Sequence, residues 1–146
     1  LLDSGYRSGV QAEIVPRPDA AHTGQYVYIQ GHCLWEEART SPERATELLP
    51  AAVALLNRVI GDYPDNIRVL SAYTTKGRCA ETLGDARGAL EQYRHAVERM
   101  RRHPHMRNDC WIEFAFLAAR QGSPADLQEA SALLDEFADE TLPFPI

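Results

Sequence analysis

The stretch KGRCAETLGDARGALEQYRHA, residues 76 to 96, decides how this chain folds. Its glycines, cysteine, histidine and charges suit either a glycine-rich ligand loop or two helices joined by a tight turn. Gly84 is a helix-stop signal, because glycine reaches the left-handed conformation at low cost. Gly77, Ala89 and Ala96 are small residues that let two helices approach closely, while large side chains between them fill the gaps. The stretch therefore predicts a helical hairpin.

The rest of the chain predicts an all-α fold. Apolar residues recur at helical spacing, and glycine, proline or serine–proline pairs separate the segments. Ser41 is suited to cap the second helix, and Pro50 inside that helix should kink or split it. No strand alternation is present, and short turns make successive helices antiparallel neighbours. The predicted helices cover residues 24 to 39, 42 to 62, 67 to 83, 86 to 102, 107 to 121 and 124 to 139.

Length and composition favour one ordinary globular domain. The 146 residues suffice for a hydrophobic core. We expect residues 1 to 22 to form an irregular arm, residues 23 to 140 to form the helical domain, and residues 141 to 146 to form a tail. The net charge of -6 disfavours unspecific nucleic-acid binding. The odd set of three cysteines indicates a reducing compartment, and no apolar run reaches the roughly 20 residues of a membrane helix, so a cytoplasmic location is expected.

A residue pattern recurs along the helices and resembles the tetratricopeptide repeat, a helix–turn–helix unit of about 34 residues. Lys76 and Ala80 depart from the pattern of that family. The second hairpin carries it at Tyr73, Gly77, Gly84, Ala89, Tyr93 and Ala96. The third hairpin carries it at Trp111, Phe114, Ala115, Ala118, Gly122, Ala130, Leu134 and Phe137. The first hairpin carries it loosely, with a longer interval, at Val27, Gly31, Leu34, Ala52, Leu56 and Val59.

The resemblance implies an α-solenoid of about three repeats, in which the first helix of each repeat lines a concave, peptide-binding face. Cys33 and Cys79 hold equivalent positions after the small residue of their helices, so both are expected in the core. The groove would be aromatic at both ends and charged in the middle, suited to a peptide with an apolar anchor and an acidic group for Arg78. Alternatively, Arg78 pairs with Glu81. The candidate residues are Tyr28, His32, Trp35, Thr74, Arg78, Glu81, Asp109, Ile112 and Phe116.

Other chemistry receives little support from the residues. His95 and His103 lie roughly 80° apart around one helix, which does not favour a zinc site, so no metal and no cofactor are predicted. The basic segment 99 to 107 complements a helix C-terminus, and binding of nucleic acid is not expected. No phosphate-loop, dinucleotide, zinc-protease or serine-hydrolase motif is present, although Glu36 and Glu37 stand near His32.

The sequence thus favours a non-catalytic scaffold or adaptor that binds a protein or peptide of unknown identity, with no membrane partner. One alternative is self-association through an apolar end formed by Leu133, Leu134 and Phe137 of the last helix. A second is a bacterial regulatory or antitoxin-like inhibitor. A third, which no residue favours, is a small enzyme on a helical scaffold.

Overall fold

The computed structural model of the protein describes residues 19 to 138, and this part is all-helical with no strand. The predicted all-α class is confirmed there. The tail at 141 to 146 and residues 1 to 18 of the predicted arm lie outside the described residues. The helices are α1 (Ala20–Thr40), α2 (Ala45–Asp62), α3 (Val69–Thr82), α4 (Ala86–Arg102), α5 (Cys110–Gln121) and α6 (Pro124–Ala138).

Each helix packs mainly on its neighbours in the sequence. The most extensive contacts join α1 to α2, α3 to α4 and α5 to α6, and smaller contacts join α2 to α3, α4 to α5 and α1 to α3. The buried residues form two apolar clusters, one among α1, α2 and α3 and the other among α3 to α6. Tyr73 on α3 packs against both clusters. The core therefore consists of two apolar clusters that meet at Tyr73.

Glycines set the closest approach within two of the hairpins. A Cβ atom at Gly77 would lie 2.3 Å from Cε1 of Tyr93, and a Cβ atom at Gly31 would lie 3.1 Å from the side chain of Leu56. Gly84 follows α3 with a φ of 79°, the left-handed conformation that ends many helices. These positions confirm Gly77 as a packing residue and Gly84 as a turn residue, so the opening stretch is a hairpin.

Four helix starts differ from the sequence predictions, among them that of α3, which begins at Val69 rather than residue 67. Helix α1 begins at Ala20 rather than residue 24, because the carboxylate of Asp19 accepts a hydrogen bond of 2.8 Å from the backbone N–H of His22. The predicted irregular arm is therefore wrong for residues 20 to 22. Helix α5 begins at Cys110 rather than residue 107, since Asn108 Oδ1 accepts the Cys110 backbone N–H at 3.0 Å and turns the chain there.

The second helix also begins and continues differently. Pro42–Arg44 forms a short 3-10 turn, and Ser41 makes no side-chain capping bond, so the predicted cap is wrong. Helix α2 then runs without interruption from Ala45 to Asp62, with Pro50 inside it. The predicted split does not occur: Pro50 is the sixth residue of α2, so the helix loses only the one hydrogen bond that residue 50 would donate to the Thr46 carbonyl, and the Pro50 residue is exposed.

The predicted core role of one cysteine is wrong, and two of the three residues of the predicted apolar end on α6 are already buried. Cys33 is exposed whereas Cys79 is buried, because α3 packs between α2 and α4 and the Cys33 side of α1 has no such neighbour. The predicted core role of Cys33 is therefore wrong. On α6, Leu133 and Phe137 are buried and Leu134 is 42% exposed. None of the helices between residues 19 and 138 is long and apolar enough to cross a membrane.

Candidate functional site

Helices α1, α3 and α5 carry side chains at i, i+4 and i+7 that meet along one side of the molecule. This spacing places them in one stripe on each helix. Contacts between the stripes run from α1 to α3 and from α3 to α5. We call this surface the shared face and define it by Trp35, Arg78, Glu81, Glu113, Phe116 and Arg120.

Arg78 is the central residue of the shared face. Its guanidinium carbon lies 5.5 Å from the centroid of the Trp35 ring, and its Nε donates to Glu113 Oε1 at 2.8 Å. A second nitrogen of Arg78 donates to the same oxygen, and Asp109 lies 3.6 Å away. The hydrogen bond to Glu113 raises the pKa of Arg78. Arg78 therefore pairs across the hairpins with Glu113, and the alternative pairing with Glu81 is wrong.

Two carboxylates converge on one buried hydroxyl behind this arginine. Tyr93 is 0% exposed, and its hydroxyl lies within hydrogen-bonding distance of Glu81 Oε2 and, at 3.0 Å, of Glu113 Oε2. Burial, followed by the hydrogen bond with Glu81, raises the pKa of Tyr93. The other oxygen of Glu81 accepts from Arg120 at 3.0 Å. The result is a continuous chain of polar contacts between α3, α4 and α5.

Phe116 is the exposed apolar group of the shared face. Its side chain is 66% exposed, and it borders an open cavity of about 270 Å³. The other lining residues are Glu81, Glu113 and Arg120. Covering this ring would be favourable, because burial of a phenyl side chain contributes about 1.5–3 kcal/mol. The cavity is a candidate position for a side chain of a binding partner.

An aromatic corner lies on the α1 part of the surface. The rings of Tyr28 and His32 stack with centroids 5.8 Å apart, and those of His32 and Trp35 are 5.5 Å apart. Arg39 lies over Trp35 at 5.4 Å, and the hydroxyls of Tyr28 and Thr75 are 3.5 Å apart. Trp35 is only 9% exposed, so the arginines cover a largely buried ring. This corner connects the first two hairpins more than it offers free surface.

The predicted site residues fall into different environments. Thr74 is 2% exposed, donates to the Leu70 carbonyl at 3.0 Å and accepts from Asn108 at 2.9 Å, so its predicted exposure is wrong. Ile112 is half-buried beside the actual stripe. Asp109 precedes α5 with its side chain 61% exposed.

Sequence reasoning missed Glu113 and Arg120. Both occupy the same face of α5 as Phe116, at i−3 and i+4, whereas Ile112 stands one position to the side. Glu113 and Arg120 lie four and eleven residues after the predicted Asp109, on the same helical stripe. Helical spacing alone could therefore have identified both. Their pairing with α3 could not be found from local spacing, because it depends on how the hairpins stack.

Other candidate chemistry has structural explanations. Burial is the main cause that raises the pKa of Cys79 and of Cys110 to about 12, so both thiols stay protonated. In the basic segment, Arg99 donates to the Pro64 carbonyl at 2.7 Å and Arg101 pairs with Glu136 at 2.7 Å. Among residues 19 to 138, no cluster of three or more potential metal ligands is found.

The carboxylates near His32 also have local partners. Glu36 pairs with Arg39 at 2.6 Å, and that hydrogen bond lowers the pKa of Glu36. Glu37 pairs with Arg44, and His32 lies 3.8 Å from Glu36. These are helix-surface ion pairs, and neither of the two cavities near Phe116 and Ile67 is lined by them.

A second open cavity, of about 400 Å³, lies at the start of α1. Its lining comes from the first residues of α1 and from the loop between α2 and α3, including Ile67, which is 66% exposed. Asn66 in this loop donates to the Ala21 carbonyl at 2.9 Å and holds the loop against the helix. Among residues 19 to 138, the lining of this cavity carries no arginine–glutamate pairs like those around Phe116.

Comparison with protein-family models, with curated proteins and with solved structures finds no match to this chain. The functional argument therefore rests on the side chains of the described helices.

Proposed function

We propose that this protein is a non-catalytic scaffold or adaptor, and that it binds a protein or peptide on the concave face of a three-hairpin array resembling tetratricopeptide repeats. The observation that carries the proposal is the exposed Phe116 ring beside a cavity on the shared face. The shared face is built from the first helix of each hairpin, as the resemblance requires.

The ion pairs support the repeat arrangement. If one hairpin stacks on the next as a repeat, contacts between their first helices and between their second helices should have the same sequence interval. Three arginine–glutamate pairs between the second and third hairpins share an interval of 35 residues, close to the repeat length of this family. They are Arg78 with Glu113, Arg94 with Glu129, and Arg101 with Glu136.

Helix lengths account for the looser first repeat. Helix α1 has 21 residues and α2 has 18, against 14 for α3 and 17 for α4. A short turn at Pro42–Arg44 adds further length between α1 and α2. The longer first hairpin still brings Gly31 against Leu56, just as Gly77 meets Tyr93 in the second. The same close approach in both hairpins supports a repeated unit.

Affinity capture tests the proposal. Wild type, Phe116→Arg and Ile67→Arg would be immobilised and exposed to a lysate of the source organism, with quantitative mass spectrometry of the retained proteins. Phe116 and Ile67 are both 66% exposed, so Ile67→Arg is a matched control on a different surface. A protein retained by wild type and Ile67→Arg but lost from Phe116→Arg is the expected result. The same retained set for all three proteins would contradict the proposal.

Self-association is a second candidate, favoured by exposed apolar residues on the first and last described helices. Tyr26 and Ile29 on α1 are 61% and 41% exposed, and Leu127 and Leu134 on α6 are 46% and 42% exposed. End-to-end contact between copies would bury both sets. Light scattering between 10 µM and 1 mM, with Leu134→Lys as the variant, tests this candidate, and a constant monomer mass would exclude it.

A further inference from the structure

The partner's chemistry can be inferred from the hydrogen bonds around the Phe116 cavity. Glu81 and Glu113 each direct one oxygen to an arginine and the other to the Tyr93 hydroxyl. A tyrosine hydroxyl has one hydrogen to donate, so it cannot donate to both carboxylates at once. Since an ionised carboxylate accepts about four hydrogen bonds, the pair keeps free acceptor capacity at the edge of the cavity.

The charges around the cavity also favour a partner group that donates hydrogen bonds and carries positive charge. The ion-paired groups are three carboxylates and two arginines: Glu81, Glu113 and Arg120 line the cavity, whereas Arg78, which pairs with Glu113, and Asp109, which lies 3.6 Å from Arg78, are outside its lining. They leave one net negative charge, in a chain whose net charge is -6. Arg78 is not available to an acidic ligand. Its side chain is only 26% exposed, and its guanidinium already pairs with Glu113 and packs against the Trp35 ring. The surface thus complements a cation.

The exposed ring supplies the apolar half of the site. A lysine or arginine side chain places its methylene groups on apolar surface while its charged head reaches polar partners. Phe116 borders the same cavity as both carboxylates, so one long basic side chain can contact the ring and the carboxylates together. A cation close to a phenyl ring also gains cation–π attraction.

We propose that the Phe116 cavity binds a lysine or arginine side chain of the partner segment, with its aliphatic part on Phe116 and its charged head on Glu81 and Glu113. This inference rests on the proposed function, that the shared face binds a peptide. It reverses the expectation from sequence that Arg78 receives an acidic group.

Phage selection tests the inference. A library of random dodecapeptides would be panned on wild type, and the selected peptides synthesised and titrated against wild type, Phe116→Ser, Ile67→Ser and Arg120→Gln. Circular dichroism and thermal melting would first show that each variant folds. We expect selected peptides rich in lysine or arginine beside apolar residues. Phe116→Ser should weaken them about tenfold, and Ile67→Ser should change their affinity less than about twofold.

Arg120→Gln tests whether the bound side chain is positively or negatively charged. Arg120 is 62% exposed and pairs with Glu81, so its removal makes the cavity more negative. A basic peptide should then bind about threefold more tightly and an acidic peptide more weakly, the range expected for an exposed ion pair. Weaker binding of a basic peptide to Arg120→Gln would overturn the inference.

The outcomes separate the inference from the proposed function. Acidic or neutral peptides whose binding depends on Phe116 would overturn the cationic partner and leave the peptide-binding face intact. Peptides that bind Phe116→Ser as tightly as they bind wild type would overturn both the inference and the proposed function. A selection with no enrichment over the bare support would also overturn both.

Discussion

Gly77→Ala gives the sharpest test of the packing between α3 and α4. The added Cβ atom would lie 2.3 Å from Tyr93 Cε1, 2.7 Å from Cδ1 and 2.8 Å from Cζ. Ordinary carbon–carbon contacts are about 3.5–4.0 Å, so the overlap exceeds about 1 Å. Tyr93 is 0% exposed and its hydroxyl is held by Glu81 and Glu113, so the ring has no free space to enter. The two helices must therefore move apart.

The magnitude follows from two opposing effects. Overpacking of a core costs about 1–3 kcal/mol, whereas replacing glycine by alanine inside a helix contributes about 1 kcal/mol of stability. Because the added Cβ atom would lie only 2.3 Å from the Tyr93 ring, the overpacking cost should be at the upper end of its range, and the free energy of unfolding should fall by about 2 kcal/mol. Gly61→Ala is the control: Gly61 is exposed on α2, and its added Cβ atom would meet nothing within 4 Å. Because Gly61 lies near the end of α2, this variant should gain about 0.5 kcal/mol.

Urea unfolding followed by circular dichroism at 222 nm measures both variants. With a denaturant slope of about 1–3 kcal/mol per molar, the midpoint for Gly77→Ala should fall by about 1 M and that for Gly61→Ala should rise slightly. A Gly77→Ala protein as stable as wild type, with an unchanged slope, would refute the close approach of α3 and α4.

Three further predictions concern other parts of the fold. Gly84→Ala should lower the free energy of unfolding by about 1–2 kcal/mol, measured in the same urea titration, because alanine is strained at a φ of 79°. Of the three thiols, Cys33 alone should react rapidly with Ellman's reagent in native protein, and all three should react in urea; three rapid native reactions would contradict the buried positions. Hydrogen bonds from Ser123, and then from Arg94, lower the pKa of Asp126 below its ordinary value of 3.8. The stabilisation from its ionised form is therefore present above pH 3.8 and lost as the pH falls through the lowered value. The stability gap between wild type and Asp126→Asn should accordingly be larger at pH 7 than at pH 2.5, and an equal gap in urea titrations would contradict this pairing.

Local sequence signals were sufficient for the helices and their turns. The six helical segments, the turn at Gly84 and the packing role of Gly77 follow from spacing and from the conformational properties of glycine. Helix starts were less predictable, because Asp19 and Asn108 act through specific side-chain hydrogen bonds to backbone N–H groups.

The failed predictions in the core and at the candidate site have a common physical cause. The environment of a residue depends on which helices pack beside its own helix. The spacing of residues along one helix does not reveal those neighbours. Cys33 and Cys79 hold equivalent positions, yet only α3 is packed between two hairpin neighbours at that level. Likewise, Arg78 has Glu81 close by on its own helix but pairs with Glu113, because the stacked third hairpin brings a better placed carboxylate.

Mapping of a bound peptide by NMR tests the central claim most directly. The ¹⁵N-labelled protein would be titrated with a peptide selected on wild type, and the backbone shift changes assigned along the chain. The account predicts that the largest changes lie on α3 and α5 near Arg78 and Phe116, and that they vanish in Phe116→Ser. Shift changes concentrated on α2, α4 and α6, or unchanged in Phe116→Ser, would contradict it.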